Sequence, residues 1–324
     1  MTMKAKKLFL IALPLMVAAI SLMTSCSSDD DDILSKTDNK GYTVFSAVAP
    51  GSPETRTLIG KYKDGKGFPF YWGDGDMIYV KDDNNIWQES EPLSIPEYIW
   101  GKPTANFNVP GKFSPDKTYE VRYFGRKVES GTMHGSDWGM LPQAYFQYGI
   151  NYSDAIKSGG DCGVGTAIWK NGHYTFKLQH KLAYLCLLPY TPNKQDKSWD
   201  YMLEYVQVSA VNTRLNGRYE LREGKLVLSQ TGFSLPIQVF TKYPGQPFEG
   251  KRGISVATTE PNPDKVAIFV PIFPDKHILK IKFFQTLINS NAYNSTNLEL
   301  PENVYEPGKV YKVPCPLKSV GPVN

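Results

Sequence analysis

The chain has 324 residues, with 36 lysines and arginines against 32 aspartates and glutamates, and a formal net charge of +4. This near balance argues against a general nucleic-acid-binding surface, which needs a clustered excess of basic side chains facing phosphates. Charged residues make up only 21% of the chain and aromatic residues 13%, a composition too apolar for a disordered protein. The length is sufficient for two domains of ordinary size, each with its own core.

Residues 1–25 have the pattern of a secretion signal. Lys4, Lys6 and Lys7 form a positively charged start, and residues 8–23 follow as an apolar stretch without a charge. These 16 residues are fewer than the roughly 20 that a membrane-spanning helix needs, which favours a cleaved signal peptide. Without the three lysines, basic and acidic residues number 33 and 32, so the mature chain is almost neutral.

The end of this signal is similar to a lipobox, a motif whose cysteine becomes the lipidated first residue. Its sequence is LMTSC at residues 22–26, which predicts lipidation at Cys26. Each acyl CH₂ adds about 0.8 kcal/mol of membrane affinity, so several chains on one cysteine hold a protein firmly. The alternative is a plain secretion signal with a coincidental cysteine.

Residues 26–40 are predicted to form a lipidated acidic tether. Four consecutive aspartates at residues 29–32 repel one another and cannot pack or pair. They also resemble the acidic export signal of surface lipoproteins in some Gram-negative anaerobes. The predicted location is the outer membrane, with the protein anchored through Cys26 and exposed on the cell surface.

Alternation of apolar and polar residues predicts β-strands in the rest of the chain, where no segment has a sustained helical period. Examples are residues 119–123, 174–180 and 279–283. Asn171–Gly172 predicts a hairpin, because both positions tolerate positive φ. Further turn signals at Asn216–Gly217 and Glu223–Gly224 predict a three-stranded meander over residues 208–229.

These signals predict an all-β fold of two antiparallel β-sandwich domains, residues 41–162 and 163–324. The boundary is placed in the glycine-dense segment 158–165, because a break ahead of Thr166 leaves the predicted hairpin intact. Residues 189–197 are the competing position for this boundary.

The sequence predicts no catalytic residue, no metal site and no cofactor. HGSDWG at residues 134–139 lacks the Gly-x-Ser-x-Gly spacing of a serine hydrolase. The glycines at 158–165 lack the Gly-Lys-Ser/Thr of a phosphate-binding loop, and the histidines include no pair at metal-binding spacing. His180 is predicted to be a hydrogen-bonded core residue. Four acidic residues are predicted to form turns: Asp74, Asp76, Asp82 and Asp83.

The cysteines beyond residue 26 leave the disulfide state open. Cys162, Cys186 and Cys315 cannot all pair within one chain, and no CxxC or Cys/His spacing is present. One disulfide can form in an oxidising compartment. Cys186 lies in an apolar run and is predicted to be an inert core residue.

Several short motifs, taken in order, resemble the fimbrillins, the type V pilin-like lipoproteins of Gram-negative anaerobes. They are Thr55-Arg56-Thr57, Trp72 with Gly75-Asp76, Ile78 and Val80, Phe176-x-Leu178-x-His180-x-Leu182-Ala183 with Leu185, and Pro307-Gly308-Lys309-Val310-Tyr311. The resemblance implies two transthyretin-like β-sandwich domains and a non-enzymatic role in adhesive surface fimbriae. It implies other fimbrial subunits and ligands on host or bacterial surfaces as partners.

The resemblance also implies assembly by strand donation. In polymerising members, a trypsin-like protease cuts after an arginine in an early loop, and the first strand leaves a groove that a neighbour's C-terminal segment fills. Arg56 matches the cut position, with Thr57 after it, and residues 42–49 would be the first strand. The alternative for Arg56 is an ordinary exposed loop arginine.

The C-terminus departs from the polymerising pattern at Pro314, Pro316 and Pro322. A donated strand must offer backbone N–H groups along its length, and proline has none. This favours an anchor, a terminal subunit or a non-polymerising surface protein, which we expect to be a monomer in isolation.

The alternative function is a surface glycan-binding lipoprotein. Aromatic rings that are exposed and close together can stack on sugars. The candidate residues are Trp72, Trp87, Trp100 and Trp138.

Overall fold

Alternating sequences form strands because successive side chains of an extended chain point to opposite faces, so that one face can be buried. The computed structural model describes residues 41–47, 58–59, 70–96, 102–125, 134–147, 161–192, 201–211, 213–229, 235–241, 253–256, 258–287 and 293–318. The described residues form strands and no helix, which confirms the predicted all-β fold. All of them belong to one compact unit, Asn39–Asn324.

Most strands are short, as expected for a chain rich in turn residues, although one has 10 residues and two have 12. Those of the first half are β1 (Tyr42–Ala47), β2 (Leu58–Ile59), β3 (Phe70–Tyr71), β4 (Tyr79–Lys81), β5 (Trp87–Glu89), β6 (Ala105–Pro110), β7 (Tyr119–Tyr123), β8 (Trp138–Leu141), β9 (Ala144–Phe146) and β10 (Gly163–Lys170). They continue as β11 (His173–Phe176), β12 (Leu178–His180), β13 (Ala183–Tyr190), β14 (Tyr201–Ala210), β15 (Gly217–Arg222) and β16 (Lys225–Leu228). The last are β17 (Ile237–Phe240), β18 (Ile254–Ser255), β19 (Ile268–Ile272), β20 (Lys276–Leu287), β21 (Tyr293–Val304) and β22 (Val310–Pro316).

Two large sheets contain most of these strands. An eight-stranded sheet has the order β5-β4-β7-β10-β11-β1-β6, with β12 also paired to β10. A six-stranded sheet has the order β21-β20-β14-β17-β9, with β18 also paired to β14. The smaller sheets are β19-β13-β22, β16-β15-β8 and β2-β3. Antiparallel pairing predominates, as predicted, although β1 with β11, β13 with β22 and β17 with β9 are parallel.

The buried apolar residues form two hydrophobic clusters. The smaller cluster lies on the eight-stranded sheet and includes Phe45, Trp72 and Tyr174. The larger cluster includes most of β13, whose residues are buried in seven of eight positions. A continuous apolar run of this kind is typical of a strand covered on both faces.

The strand pairing crosses the domain boundary predicted between residues 162 and 163. After this position, β10 pairs with β7 and β11 pairs with β1, so both strands belong to the eight-stranded sheet. Before it, β8 and β9 pair with β15 and β17, which come later in the chain. The division into two domains stays a prediction, and these pairings favour a boundary after His180.

Two hairpins form at the predicted turns. Asn171 and Gly172, with φ of 51° and 85°, connect β10 to β11, and Glu223 and Gly224, with φ of 50° and 74°, connect β15 to β16. Glycine adopts such positive φ values without steric cost. The meander predicted over residues 208–229 is wrong in its first strand, because β14 pairs with β17, β18 and β20 instead of β15.

Candidate functional site

The first strand, β1, lies between two other strands of the eight-stranded sheet. All six of its residues pair antiparallel with β6, and three of them also pair parallel with β11. Over that length, backbone N–H and C=O groups on both sides of β1 take part in the ladders. The start of the described chain is thus an integral part of the sheet.

Phe45 anchors β1 in the smaller hydrophobic cluster. Its side chain is fully buried, and its ring stacks on that of Tyr174, with the ring centres 4.8 Å apart. The ring of Phe113 meets it edge-on at 4.9 Å. Ala47 is also buried, whereas Tyr42 at the other end of the strand is 41% exposed. Side-chain contacts therefore hold β1 mainly through its second half.

Removal of β1 would open a groove in this sheet. The backbone groups of β6 and β11 that now pair with β1 would lose their partners, and the space that Phe45 fills would become an apolar slot. A strand from another chain that enters such a groove satisfies both the backbone groups and the apolar surface. This geometry makes β1 the candidate functional element.

The residues predicted to be modified or cut lie outside the described residues. Arg56 and Thr57 come after the end of β1 at Ala47 and just before β2, which begins at Leu58. Cys26 precedes the described chain. Lipidation at Cys26 and cleavage after Arg56 stay predictions.

The C-terminal strand, β22, pairs parallel with β13 over seven residues, Val310 to Pro316. Just beyond it, Leu317 donates its backbone N–H to the carbonyl oxygen of Tyr190 at 2.8 Å. Backbone N–H groups alternate in direction along a strand. The backbone N–H groups of the odd-numbered residues 311 to 317 therefore point toward β13. The backbone nitrogens of residues 314 and 316 point away from it.

Both prolines of β22 occupy positions at which pairing with β13 requires no N–H. Pro314 and Pro316 are exposed, whereas Val313, Cys315 and Leu317 are buried in the larger cluster. Proline on the outer side of a strand removes donors that a further strand would use. The prolines are therefore compatible with a strand paired on one side, and they limit pairing on the other. That they argue against strand donation, in which the donated segment pairs on both sides, stays a prediction.

A buried carboxylate that the sequence did not reveal lies beside β12 and β13. Asp161 is fully buried, and its Oδ2 lies 2.9 Å from Nδ1 of His180. Tyr184 donates its hydroxyl to Oδ1 of Asp161, and Cys162 donates its backbone N–H to the same oxygen at 2.8 Å. His180 is thus a hydrogen-bonded core residue, as predicted, while Asp161 lies in the glycine-dense segment 158–165, in which the domain boundary is predicted.

This cluster connects strands of both hydrophobic clusters. Tyr219 of β15 donates its hydroxyl to the backbone carbonyl of Asp161 at 3.4 Å. Burial, followed by the charge of Asp161, raises the pKa of Tyr184 well above its ordinary value, so that its hydroxyl stays protonated and donates. Since the side chains of Asp161 and His180 are 0% and 2% exposed, the cluster is suited to holding strands together.

The tryptophans predicted as a sugar-stacking surface are not available as a group. Trp72 is fully buried in the smaller cluster, where the rings of Phe107 and Tyr123 meet it edge-on, with ring centres 5.0 Å and 5.5 Å away. Trp87 and Trp138 are half-buried. The guanidinium group of Arg122 lies over the ring of Trp87, 4.3 Å from its centre. That of Arg218 lies over the ring of Trp138 at 4.2 Å. Trp100 lies outside the described residues.

The acidic residues around β4 act within turns, as predicted. Asp82 accepts backbone N–H groups from its own turn at 2.9 Å and 3.0 Å. Hydrogen bonds from Lys117, Ser114 and Tyr119 hold the pKa of Asp83 below its usual range.

Within the described part of the chain, no group of three or more His, Cys, Asp or Glu residues is placed to hold a metal ion. None of the residues that the structure describes forms a helix long and apolar enough to cross a membrane.

The three cysteines of the described chain, Cys162, Cys186 and Cys315, are free and buried. Burial raises the pKa of each thiol, that of Cys315 to about 12.

Because the thiolate is the reactive form of a cysteine, we expect none of these three cysteines to react with iodoacetamide at neutral pH in the folded protein. After denaturation, all three should react. Mass spectrometry of the alkylated protein measures this, and rapid labelling of the folded protein would contradict the burial.

No family model matches the sequence, and no curated protein matches it. Solved structures do match. A proposed cell adhesion protein from Bacteroides ovatus is 12% identical, with 84% of this chain and 92% of that chain covered and a TM-score of 0.47. A second one, from Bacteroides uniformis, is 11% identical, with coverages of 86% and 94% and a TM-score of 0.43.

A fimbrial protein from Bacteroides vulgatus is 11% identical, with 76% of this chain and 89% of that chain covered and a TM-score of 0.36. The solved structures to which the chain is similar are thus those of fimbrial and proposed cell adhesion proteins.

Proposed function

We propose that the protein is a lipid-anchored adhesive protein of the cell surface, of the fimbrillin kind, which does not polymerise by donating its C-terminal strand. The observation that carries this proposal is the position of β22 in the chain's own sheet, paired with β13. A donated segment must be free to enter a neighbour. Withdrawing β22 would expose Val313, Cys315 and Leu317, and exposing a buried Val or Leu side chain costs about 1.5–3 kcal/mol each.

The proposed anchor is the lipid on Cys26, and residues 26–40 are the proposed tether. An extended chain spans at most about 3.6 Å per residue, so this tether reaches up to roughly 50 Å from the membrane. The repulsion between the four aspartates at residues 29–32 favours extended conformations. The body of the protein would then stand clear of the outer membrane, where it can contact other fimbrial subunits or surface ligands.

β1 is proposed to stay in its sheet even if the chain is cut after Arg56. A cut there breaks the chain after β1, but the ladders to β6 and β11 and the contacts of Phe45 remain. A protein that keeps both β1 and β22 in place neither accepts nor donates a strand. It acts through its surface, as an anchor, a terminal subunit or a separate adhesin.

Intact-mass analysis and N-terminal sequencing of the protein from native cell surfaces test this proposal. We expect an acylated Cys26 at the N-terminus, because the lipobox directs cleavage ahead of it. We also expect the purified protein to be monomeric, since β1 and β22 both remain in place. An unmodified N-terminus would contradict the anchor, and a ladder of oligomers that survives boiling in detergent would contradict the non-polymerising role.

A further inference from the structure

One face of the six-stranded sheet points to solvent, and its side chains line up in rows across the strands. Directly opposite residues on neighbouring strands have side chains on the same face. Along β20, Phe283 points inward and is buried, whereas Lys280 and Lys282 point outward. The register places four polar residues in one row, here called the polar row: Gln238 of β17, Gln207 of β14, Lys282 of β20 and Asn297 of β21.

The polar row has hydrogen-bonding capacity that the chain does not use. Among the described residues, the amide groups of Gln207, Gln238 and Asn297 make no hydrogen bond. The ammonium group of Lys282 makes no ion pair with a described residue and lies over the ring of Phe284, 4.6 Å from its centre. Neighbouring strands lie about 4.8 Å apart, so four side chains span roughly 15 Å. This length suits an extended ligand that lies across the strands.

A groove with a volume of about 440 Å³ lies over three members of the polar row, Gln207, Lys282 and Asn297. Lys280 and Glu299 also line it, with their charged groups 3.8 Å apart, together with the apolar residues Pro236, Ile281 and Leu298. Outside the groove, on the other side of the polar row, the rings of Tyr205 and Phe284 stack with their centres 4.0 Å apart. The groove therefore combines apolar surface with amide groups, and its charged groups are those of Lys280, Lys282 and Glu299.

We propose that this groove binds an acidic saccharide chain, an assignment that rests on the proposed adhesive function because it names the surface ligand. Sugar hydroxyls match the amides of Gln207, Gln238 and Asn297. A sugar carboxylate matches Lys282, whose charge no acidic side chain among the described residues neutralises. The half-buried ring of Tyr205, beside the groove, offers apolar contact to the CH groups of the sugars.

A second copy of the chain fits this groove poorly. In a two-fold contact the same surface patch meets itself. That contact would bring the charges of two Lys282 side chains, neither paired with an acidic residue of its own described chain, into one small interface, and like charges brought together across an interface disfavour binding. The amide groups of the polar row likewise offer little to an apolar partner. An anionic chain rich in hydroxyl groups can form hydrogen bonds with these amides and can pair with Lys282.

Calorimetric titration of the full-length protein in detergent tests the assignment. The probes are an oligogalacturonate and a neutral malto-oligosaccharide of the same length. We expect saturable binding of the acidic probe only, weakened by about tenfold or more in Lys282→Ala, since a hydrogen bond to a charged group is lost. Asn297→Ala should weaken binding severalfold while the charge of the groove is unchanged.

Lys225→Ala is the matched control, because it removes an exposed lysine from β16 in another sheet. We expect it to change the affinity less than about twofold, since charges far apart on the surface are screened by salt. An equal loss in Lys225→Ala and Lys282→Ala, absence of saturable binding, or equal binding of the neutral probe would overturn the assignment. A dimer of the unmodified protein that Lys282→Ala dissociates would also overturn it, in favour of a second copy in the groove.

Adhesion of cells that lack the protein separates this inference from the proposed function. Reduced adhesion together with no saccharide binding would reject the groove as the site and retain the adhesive role. Saccharide binding without an effect on adhesion would retain the groove and reject the adhesive role. Reduced adhesion that unmodified protein restores and the Lys282→Ala protein does not would support both.

Discussion

Replacing Phe45 with alanine is expected to lower the free energy of unfolding by about 3–5 kcal/mol. The side chain is fully buried, stacks on Tyr174 and meets Phe113 edge-on. Its loss removes these contacts and leaves a cavity that β1 cannot close without breaking its ladders to β6 and β11. Chemical denaturation followed by tryptophan fluorescence measures the change, and Trp72 in the same cluster contributes to the signal.

Tyr42→Ala is the control for this experiment, because Tyr42 lies on the same strand and is 41% exposed. Its effect is expected to stay within about 0.5 kcal/mol, as for most surface substitutions. Phe45→Ala should also make the N-terminal segment more sensitive to limited proteolysis, since β1 would leave its sheet more often. Equal stability of the two variants would show that Phe45 does not hold β1, and the proposed retention of β1 would then lose its support.

Strand positions could be predicted from the sequence because their signals are local. The alternation over residues 119–123 gives β7, and the glycine-containing turn at Asn171–Gly172 gives the hairpin of β10 and β11. Strand partners could not be predicted in the same way, since pairing between distant segments depends on how all the apolar faces are buried together. The parallel pairs β1–β11 and β13–β22 join segments that are far apart in the chain, and no local pattern indicates them.

The candidate site was predictable only in part, for the same physical reason. The sequence identifies the first and last strands as the segments of interest, because their motifs resemble those of fimbrillins. Whether Pro314 blocks pairing depends on which side of β22 its nitrogen faces, and only the register with β13 decides this. Asp161 could not be recognised either, because its partners His180 and Tyr184 come together with it only in the folded chain.

The polar row of the six-stranded sheet is a similar case. Lys280 and Lys282 alternate with apolar residues, so the sequence predicts that they point outward from a strand. Their neighbours Gln207 and Asn297 lie on strands about 75 and 15 residues away in the chain, respectively, and the alternation of any one strand says nothing about the other two. A binding surface assembled across strands becomes visible only when the register is known.

Asp161→Ala is expected to destabilise the protein by about 3–5 kcal/mol, because it removes an acceptor shared by several buried groups and each buried polar group left without its partner costs about 1–3 kcal/mol. The substitution removes the carboxylate that contacts His180 and that accepts from the Tyr184 hydroxyl and the Cys162 N–H. Because this cluster connects strands of both hydrophobic clusters, the loss should shift the whole unfolding transition. Urea denaturation at neutral pH, followed by circular dichroism, measures it.

Two further variants make this test specific to the buried carboxylate. Asp161→Asn keeps the size and one acceptor oxygen, so it should cost less than alanine, about 1–3 kcal/mol. Asp137→Ala removes an exposed carboxylate just before β8 and should change the stability by no more than about 0.5 kcal/mol. If Asp161→Ala proved as stable as Asp137→Ala, the buried carboxylate would contribute nothing to the connection between the strands.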